Sequence, residues 1–336
     1  MAVYGLWQSA NGGGRIPECR KFSDRLLQLT ADEADEGLRL QAHHSAWATC
    51  LFAGEPTAAR EHCEAGRRLY DPERHRSHRL LYGGHDPGTC AGYLGALVHW
   101  LLGYSEKALA IGSESLALAE RIEHPFSLEA ALLFNVMLHL DRGEPELALR
   151  RLDAAEALVA DQRLAFIVEP RFLRGAALTA QGAFAEAVAC LSEGLAGRLG
   201  AMRDRTYGLA RLAEALGRQG EHGAALAAAR EGSEAREKTG NRQWEAELHR
   251  LEGIALFGLN RLEEGQSALE EALRVARSQQ ARAYELRAAT SLARLWGEQG
   301  RRPEARGLLA PVYGWFTEGF DTADLKDARA LLGELA

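Results

Sequence analysis

The chain has 336 residues, of which 46% are hydrophobic and 26% are charged, and its formal net charge is −7. This composition is typical of a globular protein and excludes a disordered or collagen-like chain. The mild acidity argues against nucleic acid as a partner, because neutralising phosphates requires clustered Lys and Arg.

The cysteines and the apolar segments indicate a reducing, aqueous compartment. The five cysteines are widely spaced and form no C-x-x-C pair, which favours reduced and mostly buried thiols. The opening "MAVYGLWQSANGGGR" lacks the basic start and apolar core of a signal peptide. The longest apolar run, "CAGYLGALVHWLLGY", is too short to span a bilayer. We therefore expect a cytoplasmic protein without membrane insertion.

Helix-forming residues dominate from the first element onward, with apolar positions three and four apart. Residues 1–30 are expected to form a partial helical hairpin. Beyond them a turn recurs in which Gly or Asn takes the left-handed conformation that ends a helix. The seven turns are centred on Gly54, Gly103, Gly143, Gly182, Gly220, Asn260 and Gly300, at spacings of 49, 40, 39, 38, 40 and 40 residues.

Small residues set the register of the segment after each turn. Five residues beyond the turns lie Ala59, Ala108, Ala148, Ala187, Ala225, Gly265 and Ala305. Seven residues further on come Gly66, Ser115, Ala155, Gly194, Gly232, Ala272 and Val312, of which only the last is large. Positions seven apart lie on one helix face, where small side chains let a neighbouring helix approach closely. The pattern predicts stacked pairs of antiparallel helices.

This register resembles the tetratricopeptide repeat, whose small residue seven positions before the turn is matched at Ala96, Gly175, Ala213, Gly253 and Ala293. The period is longer than the usual repeat of about 34 residues. The resemblance implies an all-α fold, a right-handed α-α superhelix of about seven hairpins with a period near 40 residues. Residues 1–336 would form a single domain. A capping helix is expected over residues 321–336, with Asp321 as its N-cap.

The one long spacing marks an insertion at residues 71–88, "DPERHRSHRLLYGGHDPG". Asp71-Pro72 is a helix start signal, so a connector helix is predicted that ends at Gly83-Gly84. Asp86-Pro87 repeats the signal for the following helix. Insertions in repeat arrays collect on one face, which is often a binding face.

Three interpretations of the insertion remain open. His75 and His78 share one helix face, and His85 or Cys90 can supply a third metal ligand, but nothing completes the set. We therefore expect no metal and no cofactor. The second interpretation is a docking or anion-binding patch made of Arg74, His75, Arg76, His78, Arg79 and His85. The third is a connector with a solvated basic face. The adjacent pair His43-His44 is set aside, because neighbours on a helix point about 100° apart.

Motifs for catalysis are absent from the sequence. It contains no G-x-x-x-x-G-K-[ST] phosphate loop, no G-x-S-x-G and no H-E-x-x-H. His99 and His139 each fall four residues before a turn, which indicates a packing role in the repeat. The sequence therefore does not predict an enzyme.

In such arrays the first helix of each hairpin lines the concave groove. The register places there a mixture of Arg, acidic and aromatic residues: Glu169, Phe172, Tyr207, Glu214, Arg218, Glu247, Arg250, Phe257, Arg287, Arg294 and Glu298. This mixture suits a peptide or a helix of a partner protein. The alternative is that these are ordinary solvated positions.

Several segments carry a closer resemblance. They include "WLLGYSEKAL", "HPFSLEAALLFNVMLH", "WEAELHRLEG", "AYELRAATSLARLW" and "APVYGWFTEGFDTADLKDARALL", together with the insertion. They are similar to the C-terminal tetratricopeptide region of bacterial signalling proteins that carry a class III adenylate/guanylate cyclase domain and a P-loop ATPase module. The resemblance implies a non-catalytic interaction or regulatory array. No residue here matches the cyclase carboxylates or the phosphate loop.

The resemblance leaves two functions open. An interaction module would bind a protein or peptide partner, or its own upstream cyclase and ATPase modules, and should present an open, elongated groove. A small-ligand sensor would control a linked cyclase, ATPase or transcription regulator. It should have an enclosed pocket with a few converging polar groups.

Overall fold

The computed structural model describes residues 2–197 and 202–336, and within those ranges it contains eighteen helices and no strand. Eight antiparallel hairpins account for sixteen helices: α1 (Ala2–Gly12) with α2 (Ile16–Leu29), α3 (Glu36–Phe52) with α4 (Pro56–Leu69), α6 (Pro87–Leu101) with α7 (Ser105–Arg121), α8 (Pro125–Arg142) with α9 (Pro145–Gln162), α10 (Pro170–Ala180) with α11 (Phe184–Ala196), α12 (Met202–Gln219) with α13 (His222–Thr239), α14 (Glu245–Gly258) with α15 (Leu262–Ser278), and α16 (Arg282–Glu298) with α17 (Arg302–Gly314). The connector helix α5 (His78–Leu81) and the final helix α18 (Ala323–Glu334) lie outside these pairs.

The seven predicted turns are confirmed. Their central residues all have positive φ, from 59° at Asn260 to 91° at Gly103 and Gly220. At each turn the next residue donates its N–H to a carbonyl five residues back, as from Glu55 to Cys50 at 2.9 Å. This bond satisfies a carbonyl at the helix end that has no partner inside the helix.

The small residues bring the helices together as the register predicted. A β-carbon added to Gly66 would lie 2.3 Å from the Trp47 ring, and one added to Gly232 would lie 2.5 Å from Leu248. The alanines five residues after the turns, such as Ala59 and Ala148, are fully buried. Because no larger side chain fits at these positions, the close spacing within and between hairpins depends on them.

Both ends of the chain differ in detail from the prediction. The N-terminal element is a complete helical pair rather than a partial hairpin. At the other end Thr322, not Asp321, occupies the N-cap of α18. Asp321 turns away from the helix, and its carboxylate lies 3.4 Å from Nη2 of Arg142.

The connector helix is shorter than predicted. Residues 72–77 form turns, and only the four residues of α5 are helical. The Asp71 carboxylate accepts the N–H groups of Glu73 and Arg74 at 3.0 and 2.9 Å, as a helix cap would. However, the buried ring of His75 folds back to accept the N–H of Asp71 at 3.0 Å. Such side chain–backbone bonds compete with regular helix, which explains the turns.

The superhelix closes on itself instead of staying open. Hairpin turns of the N-terminal half pack on the C-terminal half: the N–H of Arg242 donates to the carbonyl of Phe52 at 2.7 Å. Beside it, the Thr57 hydroxyl donates to Oε1 of Gln280 at 2.9 Å. The carboxylate of Glu318 accepts two N–H groups at the start of α7, at 2.8 and 3.1 Å. The turns near Gly54 and Gly103 are thus hydrogen-bonded to distant parts of the chain.

A column of four aromatic rings runs through this closure. Trp100 lies edge-on to Tyr284, with ring centroids 5.7 Å apart. Tyr284 is followed by Trp244 at 5.9 Å and then by Tyr207 at 4.8 Å. All four side chains are buried in one hydrophobic core that extends from Tyr4 to Tyr284. We call these four residues the aromatic column. The aromatic column therefore links Trp100, from the N-terminal half of the chain, to three aromatic residues of the C-terminal half.

A buried carboxyl group fastens the loop between α9 and α10 to this core. Oε1 of Glu129, on α8, accepts the N–H of Ile167 at 3.0 Å, and the side chain has no solvent exposure. Burial raises the pKa of Glu129 to about 7 from 4.5, although the bond from Ile167 opposes this shift. The folded protein therefore holds this proton more tightly than the unfolded chain does. That contribution to stability is complete below about pH 4.5 and is lost as the pH rises through 7.

We expect Glu129→Gln to stabilise the protein at pH 8 but not at pH 4. At pH 8 the substitution removes a buried charge, which should be worth up to about 3 kcal/mol at 1.36 kcal/mol per pKa unit. At pH 4 both side chains are neutral and similar in shape. Urea unfolding followed by circular dichroism at the two pH values measures the difference. An equal effect at both values would contradict the assigned pKa.

Candidate functional site

Four helices of the C-terminal half open onto a polar cleft of about 250 Å³. We call it the charged cleft, and its lining comes from α12, α14, α16 and α18: Glu214, Glu247, Arg250, Ile254, Arg287, Thr290, Ser291, Arg294, Asp324 and Asp327. On α14, α16 and α18 most of these residues are spaced three, four or seven apart and so share one face; Thr290, next to Ser291, is the exception. The cleft holds four carboxylates and three guanidinium groups.

The floor of the charged cleft is a buried ion pair. Arg250 donates to both carboxylate oxygens of Glu247, from Nη2 at 2.6 Å and from Nε at 2.9 Å. Burial acts to raise the pKa of Glu247, but the neighbouring guanidinium groups, with Arg250 first, lower it to about 2. Glu247 therefore stays ionised, and the pair has a fixed geometry.

A second buried set of charges joins this floor to the N-terminal half of the chain. The carboxylate of Asp141, on α8, accepts a hydrogen bond from Nη2 of Arg211 at 2.8 Å. Arg287 lies 3.8 Å from the same carboxylate, donates to the Asp141 carbonyl at 3.3 Å and donates to Asp324 at 2.8 Å. The Arg287 guanidinium also lies 4.9 Å from the centre of the Trp100 ring. Arg287 is thus held by structural partners.

The rim of the charged cleft is more open. Nη2 of Arg294 contacts both oxygens of Asp327, at 2.7 and 2.9 Å, and these side chains are 44% and 56% exposed. Exposed ion pairs of this kind contribute at most about 1 kcal/mol. A ligand can therefore separate them at small cost. Its anionic group would meet Arg294, its cationic group would meet Asp327, and the Ser291 hydroxyl lies between them and Arg250.

The structure brings five of the eleven predicted groove residues together in this cleft: Glu214, Glu247, Arg250, Arg287 and Arg294. Phe172 and Tyr207 are instead buried in the core, at 1% and 3% exposure. Glu169 caps α10, where its carboxylate accepts the N–H of Arg171 at 3.3 Å. None of these three residues lines the charged cleft.

The other three predicted residues lie outside the cleft. Arg218 is exposed, with its guanidinium 5.4 Å from the ring centre of Phe184. Phe257 packs against the C-terminal hydrophobic cluster, and Glu298 is exposed at the end of α16. The sequence analysis missed the acidic wall from α18. The sequence feature that could have indicated this wall is the pair Asp324 and Asp327, which lie three residues apart and so share one face of the expected capping helix.

The predicted basic patch of the connector does not converge on one point. Arg74 forms an ion pair with Glu36 at 2.7 Å, and Arg79 donates to the carbonyl of Ile122 at 2.9 Å. Arg76 is exposed. The connector histidines, His75, His78 and His85, turn inward and contact other side chains or the backbone. These contacts hold the connector against its own array.

One connector histidine takes part in a possible metal site. His44, His85 and Cys90 place their ligand atoms within 4.8 Å of one another. His43, next to His44, points elsewhere, with its Nδ1 2.9 Å from Nδ1 of His62. His44 was not predicted as a ligand, because the adjacent His43 points in another direction on the helix. Its actual ring partner is His85, 41 residues away in the sequence. None of the described helices is both long and apolar enough to cross a membrane.

Comparison with known sequences gives one informative relative. No protein-family model matches the chain. An uncharacterised protein of Rhizobium meliloti (strain 1021) is 28% identical over 302 residues, which cover 87% of this chain. The chain spans 29% of the length of that protein.

Comparison with solved structures gives several helical-repeat proteins. A Rap protein in complex with Competence and Sporulation Factor has a TM-score of 0.60 at 10% identity, covering 99% of this chain and 96% of that one. NprR in complex with its cognate peptide NprX has a TM-score of 0.57 at 10% identity, covering 99% and 98%. The Cut9–Hcn1 assembly of the APC/C has a TM-score of 0.56 at 13% identity, covering 96% and 53%. At these identities the likeness shows the fold, which is a tetratricopeptide-type helical solenoid.

Proposed function

We propose that the chain is a non-catalytic interaction and regulatory module of a bacterial signalling system, and that the charged cleft binds a peptide segment. The observation that carries the proposal is the arrangement of the cleft. Four helices hold fixed charges of both signs at its floor, and an exposed, separable ion pair lies at its rim.

A peptide matches this arrangement chemically. Arginine binds carboxylates with two parallel hydrogen bonds, so Arg294 suits an acidic side chain or a C-terminus. Asp327 suits a Lys side chain or an amino terminus. The rim partners are already paired with each other, so a ligand carrying both charges would replace that pair without leaving a group unsatisfied. The aliphatic Ile254 adds a small apolar surface.

Two further observations support this proposal. The Rap and NprR structures are of complexes with a factor and a peptide, on the same fold. The chain also spans less than a third of its relative in Rhizobium meliloti, as an array within a longer protein would. Since the sequence resembles the C-terminal region of cyclase–ATPase signalling proteins, we include a segment of such upstream modules among the candidate partners.

A small-ligand sensor is the second candidate, and one observation favours it. The charged cleft has a volume of about 250 Å³. This is slightly below the range of about 300–1,000 Å³ that is usual for small-molecule sites. A single amino acid or another small zwitterion would fill it. Binding would then regulate a linked cyclase, ATPase or transcription regulator.

Charge reversal at the rim tests peptide binding. Peptides selected from a displayed library on the purified protein should bind the Arg294→Glu variant at least about tenfold more weakly, since one charged contact is worth about 1.5–3 kcal/mol. Fluorescence anisotropy measures the affinities. Arg294 is preferred to Arg250, because a carboxylate at position 250 would lie beside buried Glu247 and disturb the fold.

The matched control is Arg274→Glu, because Arg274 is an exposed arginine of α15 that pairs with Glu271 outside the cleft. It should leave peptide affinity unchanged. If the selected peptides bind the Arg294→Glu variant as tightly as they bind the unmodified protein, the charged cleft is not the binding site. Failure to select any peptide, together with thermal stabilisation by free amino acids that Arg294→Glu abolishes, would favour the sensor.

A further inference from the structure

Three segments meet at a buried group of metal-ligand side chains far from the charged cleft. His44 comes from the middle of α3, His85 from the end of the connector and Cys90 from the first turn of α6. Their ligand atoms lie within 4.8 Å of one another. His44 and Cys90 are 1% and 3% exposed, whereas His85 is only partly buried.

The backbone fixes the orientation of His85. Its Nδ1 lies 3.1 Å from the carbonyl oxygen of Gly83, so that nitrogen carries the proton and donates to the oxygen. The other ring nitrogen, Nε2, is therefore the unprotonated one, and it contacts Nε2 of His44. Metal-ligating histidines are commonly held in this way by a hydrogen bond at the second ring nitrogen.

His44 is held in the same manner by side chains. Gln41 donates from Nε2 to His78 at 2.8 Å, which points its Oε1 at Nδ1 of His44, 3.0 Å away. The Tyr4 hydroxyl lies 3.1 Å from the same nitrogen. Nδ1 of His44 thus donates to Gln41, and its Nε2 faces Nε2 of His85 at 3.1 Å.

Two nitrogen lone pairs at this distance repel unless a cation lies between them. A metal ion removes the repulsion without protonating either ring. Neutral imidazole is also the form that binds metals.

The distances fit a tetrahedral ion. With metal–nitrogen bonds of about 2.0–2.1 Å, two nitrogen ligands lie about 3.3 Å apart, close to the observed separation. A thiolate bonded at about 2.3 Å would lie about 3.6 Å from each nitrogen, and the three ligand atoms lie within 4.8 Å of one another. We propose that His44 Nε2, His85 Nε2 and the Cys90 thiolate bind one Zn²⁺ ion. Two imidazoles and a thiolate favour zinc over Mg²⁺ or Ca²⁺.

Such an ion would clamp the connector to the array. It would join α3, the connector and α6, which otherwise meet through hydrogen bonds and ring contacts. Three protein ligands leave a fourth position for water or for a group from outside. The sequence offered His85 and Cys90 only as alternative third ligands beside His75 and His78; the proposed set keeps both and replaces that histidine pair by His44. The proposal is independent of the charged cleft.

Cobalt substitution tests the site. Protein purified and stripped of metal with a chelator is titrated with Co²⁺, which reports its ligands by absorption. We expect one equivalent to bind with the visible bands of a tetrahedral ion and a thiolate-to-cobalt charge-transfer band. Zn²⁺ should displace it. Cys90→Ser should abolish the charge-transfer band, and His85→Gln should weaken Co²⁺ binding at least about tenfold, as expected on loss of one metal ligand.

The matched controls are Cys63→Ser and His62→Gln, which change a buried cysteine and a half-buried histidine of α4 outside the proposed set. Both should retain the full cobalt spectrum. Stoichiometric binding without a thiolate band in the unmodified protein would overturn the proposal, as would no binding at all. A charge-transfer band that survives Cys90→Ser would also overturn it. Because the unmodified protein alone gives a decisive spectrum, a folding defect in one variant does not spoil the test.

Discussion

Replacing Asp141 by Asn is expected to lower the free energy of unfolding by about 3–5 kcal/mol, the usual cost of breaking a buried ion pair by removing one partner. The Asp141 carboxylate is 3% exposed and lies against the guanidinium groups of Arg211 and Arg287. Without its charge, those two groups remain buried with less compensation. Urea unfolding followed by circular dichroism measures the loss.

Asp161→Asn is the control for this prediction, since Asp161 is exposed near the end of α9. It should change stability by less than about 0.5 kcal/mol. A loss of under about 1 kcal/mol for Asp141→Asn would mean that water reaches the site and screens both arginines. The double variant Asp141→Leu with Arg211→Met should recover part of the loss, because buried ion pairs can be replaced by apolar side chains.

Trp244→Ala should destabilise the protein by about 3–5 kcal/mol, as large-to-small changes at buried aromatic positions do. Trp244 lies inside the aromatic column, between Tyr207 and Tyr284, and is 3% exposed. The guanidinium of Arg211 also lies 5.4 Å from its ring centre. Trp244 also lines one small cavity with Phe52 and Phe134 of the N-terminal half, so the radius of gyration from small-angle X-ray scattering should increase as well.

The control for this substitution is Trp296→Ala, at a partly buried tryptophan packed against the C-terminal cluster and Arg301. It should cost less and leave the radius of gyration unchanged, because Trp296 does not bridge the two halves. An unchanged radius for Trp244→Ala, with full stability, would show that the aromatic column does not hold the superhelix closed.

Those features of the fold that depend on local sequence could be predicted. The left-handed turns need Gly or Asn, and close helix packing needs small residues, so both leave a periodic mark in the chain. Gly103 and Gly66 illustrate the two cases. The structure of the connector was harder to predict. Its helix start signal competes with the hydrogen bond that the N–H of Asp71 donates to the His75 ring. That outcome depends on where the buried ring packs.

Closure of the superhelix could not be predicted from the periodicity. Thr57 and Gln280 are 223 residues apart, and nothing in their local sequences marks them as partners. Tyr207 has the register of a groove residue, and only closure puts it in the core. The candidate sites were hard to predict for the same reason, because their residues are distant in sequence. His44 and His85 meet through the path of the connector, and Asp324 joins the cleft through the docking of the final helix.

The bond from Arg242 to Phe52 has a consequence for how this chain folds. In an open solenoid each repeat contacts only its neighbours, so terminal repeats fray and folding propagates stepwise along the array. Here contacts between residues far apart in sequence raise the contact order. This slows folding, because long loops must close before those contacts can stabilise the fold. In return, the repeats lose their independence, and we expect the array to unfold as a single cooperative unit.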